Sequence, residues 1–289
     1  MDDLSPVPSL DTNAWRIFHD ADRGVWIDHF DRRWVVQTQD DRFPEFVHDL
    51  GKSIADSIYW RPRETRASEG PVFQTGEKVS KRFLVEEHGV KCWIDFAAGY
   101  SPGIFLDQRE NRERVARRVA AGDRVLNTFA YTGVFSVAAA LAGAVTTTLD
   151  LSRTYLDWGW ENFEANGIDR SLHFACRGNT FEWLRTFARQ NRTFDGVILD
   201  PPTFSRDGRK TFRTDRDYSE LVSLAARVLN SGGWLLACAN THRLTESEVA
   251  ASVTAGLSAS GRSGKLKRFP MPPEFRGDRY LKTIWVDVT

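Results

Sequence analysis

Two short polar stretches, each following a run of apolar residues, hold the side chains that could do chemistry. The first spans residues 127–133 and reads Asn-Thr-Phe-Ala-Tyr-Thr-Gly, between an apolar strand pattern and an apolar helix pattern. A strand, a tight polar turn and a helix N-terminus form the ligand-binding unit of open α/β sheets, because the crevice opens at the carboxyl ends of the strands. Asp150 stands seventeen residues after Gly133, at the end of the next β-rich run. A carboxylate at that place can accept hydrogen bonds from both hydroxyls of a ribose.

Two kinds of nucleoside cofactor suit this geometry. A dinucleotide needs its pyrophosphate against backbone N–H groups, which is the reason for the G-x-G-x-x-G pattern. This turn holds one glycine, Gly133, and is filled with Asn127, Phe129 and Tyr131. The turn therefore favours S-adenosylmethionine, which carries no phosphate, over a dinucleotide. Taken alone, the segment also fits a structural turn with no ligand.

The second stretch is residues 200–204, Asp-Pro-Pro-Thr-Phe, placed directly after the apolar run 196–199. Two prolines end the strand and stiffen the backbone there. We expect the carbonyls of this turn to be left free to accept hydrogen bonds, and Phe204 to stack on a flat ring. The pattern predicts that Asp200, Pro201, Pro202 and Phe204 hold a nucleobase edge-on to a methyl donor. The alternative is a proline-rich turn with Phe204 in the core.

Composition limits the classes of protein that this chain can be. Its 289 residues, 41% hydrophobic and 27% charged, are ordinary for one large or two modest globular domains. No apolar run approaches about 18 residues, and the N-terminus lacks a secretory signal, so we expect a cytoplasmic protein without a membrane partner. Three widely spaced cysteines without a CxxC pattern fit a reduced compartment and predict no metal site. Because the formal net charge is zero, nucleic-acid binding would need a local basic patch.

The pattern of elements predicts three parts along the chain. Residues 1–13 are expected to form a loose arm, and residues 14–98 a small α+β domain that is a candidate for substrate recognition. From 99 to 289, strands and helices alternate, which predicts a mostly parallel sheet with helices on both faces and a final antiparallel pair. Capping boxes are predicted at Asp107 with Glu110 and at Thr245 with Glu248, each starting a helix.

Beyond these local patterns, the sequence resembles a known family over most of its length, from about residue 15 to the C-terminus. It is similar to the class I S-adenosylmethionine-dependent methyltransferases of the bacterial large-subunit ribosomal-RNA methyltransferase I/K group. The matching segments are residues 103–109, 126–133, 148–155, 162–167, 194–205 and 280–282. The resemblance implies a Rossmann-like class I methyltransferase domain, with a mostly parallel seven-stranded sheet and a C-terminal antiparallel hairpin, preceded by the small α+β domain.

The same resemblance implies an activity and a substrate. We expect methylation of a base in RNA, with 23S ribosomal RNA the favoured substrate and S-adenosylmethionine the cofactor. Two alternatives stay open: the same chemistry on a small molecule or a protein, and a cofactor-binding protein that no longer catalyses. Many resembling enzymes begin with an RNA-binding PUA domain, for which we expect no room before Trp15.

Carried onto this sequence, the resemblance implies one set of cofactor-binding residues and one set at the point of methyl transfer. The turn would wrap the methionine end of S-adenosylmethionine. Asp150 would hold the ribose hydroxyls, and Leu151 would lie against the adenine. Asn179 stands where such enzymes usually have an aspartate that contacts the adenine amino group. The expected cofactor-binding residues are Asp107, Gln108, Arg109, Asn127, Thr128, Phe129, Ala130, Tyr131, Thr132, Gly133, Asp150, Leu151, Ser152, Asn179, Thr180 and Asp200. For residues 107–109, a helix cap with a surface salt bridge is the alternative.

One departure from the family bears on the methylated atom. Relatives that methylate C5 of a pyrimidine need a cysteine to attack C6, because C5 is otherwise unreactive. In such relatives the cysteine lies on the strand after the Gly-Gly turn, and here that position counts to Asn240. Cys238 lies two residues earlier and is expected in the core. The sequence therefore favours a nitrogen target, such as N7 of guanine, over C5 of cytosine.

The sequence leaves two interpretations open for each of two basic clusters and for one histidine. The clusters are Arg206, Arg209, Lys210, Arg213 and Arg216, and then Arg262, Lys265, Lys267 and Arg268. Either they bind phosphate beside the target pocket, or they are solvated surface with interspersed aspartates. His242 follows the candidate strand end and could reach the site, although a role there is the less favoured interpretation.

Overall fold

The chain forms two compact units in a computed structural model that describes residues 4–62, 69–99, 101–207, 210–275 and 277–289. Side chains of residues 204–207, 210 and 211 lie outside this description. The first unit comprises Met1–Arg109 with Pro272–Gly277, and the second comprises Glu110–Met271 with Asp278–Thr289. In the described part of the chain, every helix is too short or too polar to cross a membrane.

The first unit is built on a five-stranded sheet in the order β1-β2-β3-β4-β5. Its elements are β1 (Ala14–Asp20), β2 (Val25–Phe30), β3 (Arg33–Thr38), α1 (Phe46–Gly51), β4 (Ser57–Arg61), β5 (Val72–Gly76), and a separate hairpin of β6 (Phe83–Glu87) and β7 (Val90–Ile94). Strands β2 and β3 pair antiparallel, as do the strands of the β6–β7 hairpin. A bulge between Arg16 and Phe18 shifts the register of β1 against β2.

A short segment from far along the chain completes this unit. Pro273–Phe275 forms a single 3₁₀ turn. The Arg16 guanidinium lies over the Phe275 ring at 4.2 Å from its centroid. Arg109 and Glu274 form a bidentate ion pair, with 2% and 5% of the two side chains exposed. A surface salt bridge was the alternative expected for residues 107–109, but the salt bridge of Arg109 is buried.

The second unit alternates strands and helices as predicted. Its elements are α2 (Arg109–Arg118), β8 (Arg124–Thr128), α3 (Val134–Leu141), β9 (Val145–Asp150), α4 (Arg153–Ala165), β10 (Phe174–Arg177), α5 (Thr180–Arg189), β11 (Phe194–Leu199), β12 (Phe204–Asp207), β13 (Lys210–Arg213), α6 (Thr214–Arg227), β14 (Leu229–Asn240), α7 (Glu246–Ala259), β15 (Gly264–Phe269) and β16 (Leu281–Val288). The short hairpin of β12 and β13 was not predicted.

Seven strands of this unit form one sheet in the order β10-β9-β8-β11-β14-β16-β15. The first five strands run parallel, and β16 pairs antiparallel with both β14 and β15. This sheet confirms the predicted fold class, including the C-terminal antiparallel hairpin. Successive residues of each strand face opposite sides, so Leu126 and Leu199 enter one core cluster while Val125 and Ile198 enter the other.

The two predicted capping boxes had different outcomes. Thr245 and Glu248 form the box at the start of α7, with both reciprocal bonds present. The box at Asp107 and Glu110 was wrong, because a 3₁₀ turn at Leu106–Gln108 leads directly into α2 and begins at Phe105 without a side-chain cap. A chain that enters a helix through a 3₁₀ turn has no extended N-cap residue whose side chain could reach back.

Candidate functional site

The carboxyl ends of three neighbouring strands bring the predicted residues together. In the parallel register, Thr128 at the end of β8 lies beside Leu149 of β9 on one side and Leu199 of β11 on the other. Asp150 and Asp200 directly follow those two neighbours. The turn 127–133 therefore leaves the sheet at the same edge as the two aspartates.

The turn itself has an unusual backbone. Phe129 and Tyr131 adopt left-handed conformations with φ of 53° and 51°, and Gly133 at the start of α3 has φ of 72°. A bulky non-glycine residue with positive φ is uncommon and costs on the order of 1–3 kcal/mol. Such conformations persist only where the surrounding structure holds them, and they concentrate at ligand sites. The strain is an independent sign that this turn does more than connect two elements.

A buried polar cluster anchors the base of the turn. The Asn127 side-chain nitrogen donates to the Ser136 hydroxyl at 3.0 Å, and the Thr148 hydroxyl donates to the same oxygen at 2.8 Å. Thr128 donates its hydroxyl to the carbonyl of Ile198 at 2.7 Å, joining β8 to β11. Because all these side chains are buried, their bonds fix the turn on the sheet at little cost in unpaired polar atoms. Sequence reasoning found Asn127 and Thr128 but not Ser136.

Asp150 is held in place by the turn on one side and by the following helix on the other. The backbone N–H of Tyr131 donates to its Oδ2 at 2.9 Å, and the N–H of Ser152 donates to its Oδ1 at 2.8 Å. Burial raises the pKa of Asp150, while the bonds from Ser152 and Tyr131 act in the opposite direction. Each carboxylate oxygen accepts one backbone bond and keeps a lone pair, so the group can accept two hydroxyls of a ribose.

Helix α4 supports the turn from its outer side. The Asn162 side-chain nitrogen donates to the carbonyl of Thr132 at 2.9 Å. Gly159, one helical turn earlier, lies close to Gly133, because a Cβ added to Gly133 would be 3.5 Å from the Gly159 Cα. The Tyr131 ring meets Tyr155 edge to face at 4.6 Å between centroids. The helical spacing of Tyr155, Gly159 and Asn162 is the sequence signal that could have identified this face of α4.

The predicted adenine side contains two helix caps. The carbonyl of Asp150 accepts the N–H of Gly178 at 3.0 Å, which fixes the loop that enters α5. Asn179 caps α5, its Oδ1 accepting from the N–H groups of Phe181 and Glu182. Ser152 caps α4 in the same way. Contacts of these residues with a cofactor stay a prediction, as do those of Leu151, Ala130 and the buried Thr180.

The turn after β11 is tied to two other elements. The Thr203 hydroxyl donates to the carbonyl of Asn240, the last residue of β14. At the start of α6, the Thr214 hydroxyl donates to the carbonyls of Pro202 at 3.3 Å and Thr203 at 3.4 Å. The expectation that the carbonyls of this turn are free was therefore wrong for these two positions. Pro201 is buried and Pro202 exposed, and the stacking predicted for the Phe204 side chain lies outside the described residues.

The two candidate nucleophile positions on β14 differ in their surroundings. Cys238 is completely buried in a core cluster, where the Asn111 amide approaches its sulfur at 3.8 Å. The core position expected for Cys238 is confirmed. Asn240 lies at the end of β14, where its carbonyl accepts the Thr203 hydroxyl. Its correspondence to the cysteine position of relatives stays a prediction.

The remaining predicted residues fall into three groups. Asp107, Gln108 and Arg109 belong to the first unit, are 8%, 3% and 2% exposed, and their contact with a cofactor stays a prediction. His242 packs against the Tyr280 ring at 5.6 Å between centroids. Arg209 and the side chains of Arg206 and Lys210 are outside the described residues.

Several charges of the two basic clusters are paired with acids. The ion pairs join Arg213 to Asp215 at 2.7 Å, Arg216 to Asp217 at 2.6 Å, Lys267 to Asp287 at 3.0 Å and Arg268 to Glu246 at 3.6 Å. For these four residues the structure favours the solvated-surface interpretation over dedicated phosphate binding, because exposed pairs of this kind neutralise each other.

The fold is of the doubly wound α/β class, with a carboxylate, Asp150, bonded to a strained polar turn that lacks a glycine-rich pyrophosphate cradle. Comparison with known families then gives the identity. Residues 43–278 match the model of the S-adenosylmethionine-dependent methyltransferase family, and the chain belongs to this family. The cofactor predicted from the sequence is confirmed by this membership, and the turn and Asp150 fit it, since it offers ribose hydroxyls and no phosphate.

Individual relatives agree with this assignment. Over 221 residues the chain is 34% identical to ribosomal RNA large subunit methyltransferase K of Neisseria meningitidis, covering 73% of this chain and 61% of the relative. Over 294 residues it is 31% identical to YwbD of Bacillus subtilis, assigned as a ribosomal RNA large subunit methyltransferase, covering 95% of this chain and 74% of the relative. The crystal structure of SMU.776, assigned as a methyltransferase and solved with SAH, superposes with a TM-score of 0.83 at 27% identity, covering 96% of this chain and 76% of that one.

Proposed function

We propose that this protein transfers the methyl group of S-adenosylmethionine to a base of RNA, with large-subunit ribosomal RNA the favoured substrate. The observation that carries the proposal is the placement of Asp150 and the Asp200–Pro202 turn on the two strands that flank β8. One aspartate is positioned for the ribose of the donor and the other follows the strand on the opposite side. Relatives named as ribosomal RNA methyltransferases support the choice of RNA.

The mechanism proposed is an in-line displacement at the methyl carbon. When bound, S-adenosylmethionine would supply an electrophilic methyl group and a neutral thioether leaving group to a lone pair of the target atom. The protein's part is to hold the two reactants in line, which can contribute roughly 7–11 kcal/mol to lowering the barrier. Asp150 fixes the donor through its ribose, and the turn at Pro201 and Pro202 provides a stiff wall for the acceptor.

We propose a ring nitrogen, such as N7 of guanine, as the methylated atom. Attack by a cysteine at C6 would be needed for C5 of cytosine. The one cysteine of β14, Cys238, is fully buried among core side chains, and Asn240 at the strand end has no nucleophilic atom. A ring nitrogen carries its own lone pair and needs neither a covalent intermediate nor a strong base. We place this activity in the cytoplasm, where ribosomal RNA is accessible.

Mass spectrometry of ribosomal RNA tests the proposal directly. RNA from cells that lack the gene should lose one methylated nucleotide, which returns when the wild-type gene is supplied and not when Asp150→Ala is supplied. The purified protein should transfer tritium from labelled donor to deletion-strain RNA and not to wild-type RNA, which is already modified. Identical nucleotide profiles in the two strains, with no transfer to either RNA in vitro, would refute the proposal and leave a small-molecule or protein substrate.

A further inference from the structure

A groove on the outer surface of the second unit runs between helices α5 and α6. It has a volume of about 680 Å³. Its lining residues include the apolar Ala188 and Leu224 and the charged Glu182, Arg185, Arg189 and Arg227. With Glu220, which pairs with Arg185, the groove has three guanidinium groups against two carboxylates and therefore one net positive charge, in a chain whose net charge is zero.

The arginines of the groove differ in how their charge is balanced. Arg185 on α5 pairs with Glu220 on α6 at 2.6 Å, which links the two walls. Arg189 donates to the neutral Thr186 hydroxyl at 3.1 Å. Within the described ranges, neither Arg189 nor Arg227 has a carboxylate at ion-pair distance, and both side chains are exposed. This contrasts with Arg213 and Arg216 at the start of α6, whose charges are paired with aspartates.

The direction of the helices connects the groove to the candidate site. Helix α5 begins at Thr180, just after Gly178 bonds to the carbonyl of Asp150 at the carboxyl edge of the sheet. It ends at Arg189, and α6 ends at Arg227, at the opposite edge. Ten residues of helix span about 15 Å. Arg189 and Arg227 therefore lie at the ends of α5 and α6 that are remote from the carboxyl edge of the sheet, where Asp150 lies.

We propose that this groove binds the phosphodiester backbone of the substrate RNA away from the target base, with Arg189 and Arg227 as the phosphate contacts. This inference rests on the proposed function. Guanidinium groups bind phosphate oxygens in a planar, bidentate manner, and Arg185 and Arg189, four residues apart, lie on one helix face along which a strand can run. Backbone contacts of this kind set the register of a substrate without reading its sequence.

The test compares two double variants of equal net charge. In the first, Arg189→Gln and Arg227→Gln remove the two proposed contacts. The control, Arg117→Gln with Arg153→Gln, removes two arginines outside the groove that are 76% and 71% exposed. They lie on α2 and α4, where they pair with Glu113 and Asp157 of the same helices. Binding of deletion-strain ribosomal RNA is measured over a series of salt concentrations, with calorimetry of the cofactor as a check on the fold.

We expect the groove variant to bind RNA at least about tenfold more weakly, since two charge-assisted contacts with phosphate are lost. The slope of log affinity against log salt should become shallower by about 0.7–0.9 for each lost phosphate contact. The control should match the wild type in both, and all three proteins should bind cofactor equally. If wild type methylates RNA and the two double variants show the same slope, the groove proposal is overturned while the function stands. If wild type neither binds nor methylates RNA, both are overturned.

Discussion

Replacement of Asp150 is the sharpest test of the cofactor site, and its magnitude follows from the bonds in the structure. Each carboxylate oxygen already accepts one backbone N–H, from Tyr131 or Ser152, and has one lone pair left for a ribose hydroxyl. Asp150→Ala removes both hydroxyl contacts at roughly 1.5–3 kcal/mol each, a total of about 3–6 kcal/mol. Asp150→Asn keeps the shape and one accepting oxygen, so about 1.5–3 kcal/mol is lost, equivalent to about a tenfold to 150-fold weaker affinity.

Calorimetric titration with S-adenosylmethionine or its demethylated product measures the effect. Asp195→Asn is the matched control, because Asp195 lies at the amino end of β11 and likewise accepts a backbone N–H, that of Arg124 at 2.8 Å. It should bind cofactor as the wild type does. A dissociation constant for Asp150→Asn within about twofold of wild type, in a protein whose melting temperature is unchanged, would refute the assignment of the ribose site.

The pH dependence of binding gives a second reading of the same carboxylate. Burial raises the pKa of Asp150 above its ordinary value of 3.8. Only the ionised group can accept both hydroxyls, so cofactor affinity should fall as the pH falls toward that raised pKa, earlier than for an ordinary aspartate. Asp150→Asn should remove this dependence, and an acid limb of unchanged position in the variant would show that another group titrates.

Three further changes have defined outcomes. Glu274→Gln should lower the free energy of unfolding by about 3–5 kcal/mol in urea titrations, since Arg109 would keep a buried charge without its carboxylate, and the double change to Met at both positions should restore most of it. Gly159→Ala should leave cofactor affinity unchanged and stabilise α4 by about 0.5–1 kcal/mol, because its Cβ makes ordinary contacts, whereas Gly159→Val should press on the turn and weaken binding. Burial lowers the pKa of His29 from 6.5 to about 4, so the unfolded chain takes up the proton first as the pH falls. The free energy of unfolding should therefore decrease by about 3 kcal/mol as the pH falls from 6.5 to about 4. His29→Gln should flatten this part of the pH dependence in a series of thermal melts.

The parts of the fold that the sequence predicted are those in which local pattern and position in the chain agree. Strands β8 and β11 contain apolar residues followed by polar ones, Asn127 and Asp200, and β9 is a threonine-rich run that ends in Asp150, so both the parallel sheet and the residues at its carboxyl edge could be derived. The Thr245 and Glu248 box could be read from two residue types at a fixed spacing. The seven-stranded order itself came from resemblance to a family and not from the pattern.

What could not be predicted depends on partners distant in sequence or on side chains with several uses. Ser136 and Thr148 meet only because β8, α3 and β9 fold back on one another. Glu274 finds Arg109 across 165 positions, and neither residue type alone marks such a pair. The proline turn was expected to expose its carbonyls, but a threonine eleven or more residues downstream takes two of them. A threonine hydroxyl can cap a helix, bond to a turn or bind a ligand, and the sequence does not indicate which of these it does.

The hexapeptide Pro272–Gly277, which completes the first unit, has a consequence for synthesis. A growing chain exposes the sheet of β1 to β5 early, yet Arg109 must wait until the ribosome has added more than 160 further residues before Glu274 emerges. At the usual 5–20 residues per second this interval is on the order of ten seconds. During it Arg109 has no Glu274 carboxylate to pair with, so this buried ion pair of the first unit forms only when translation is nearly finished. A chain stopped before residue 272 would lack it.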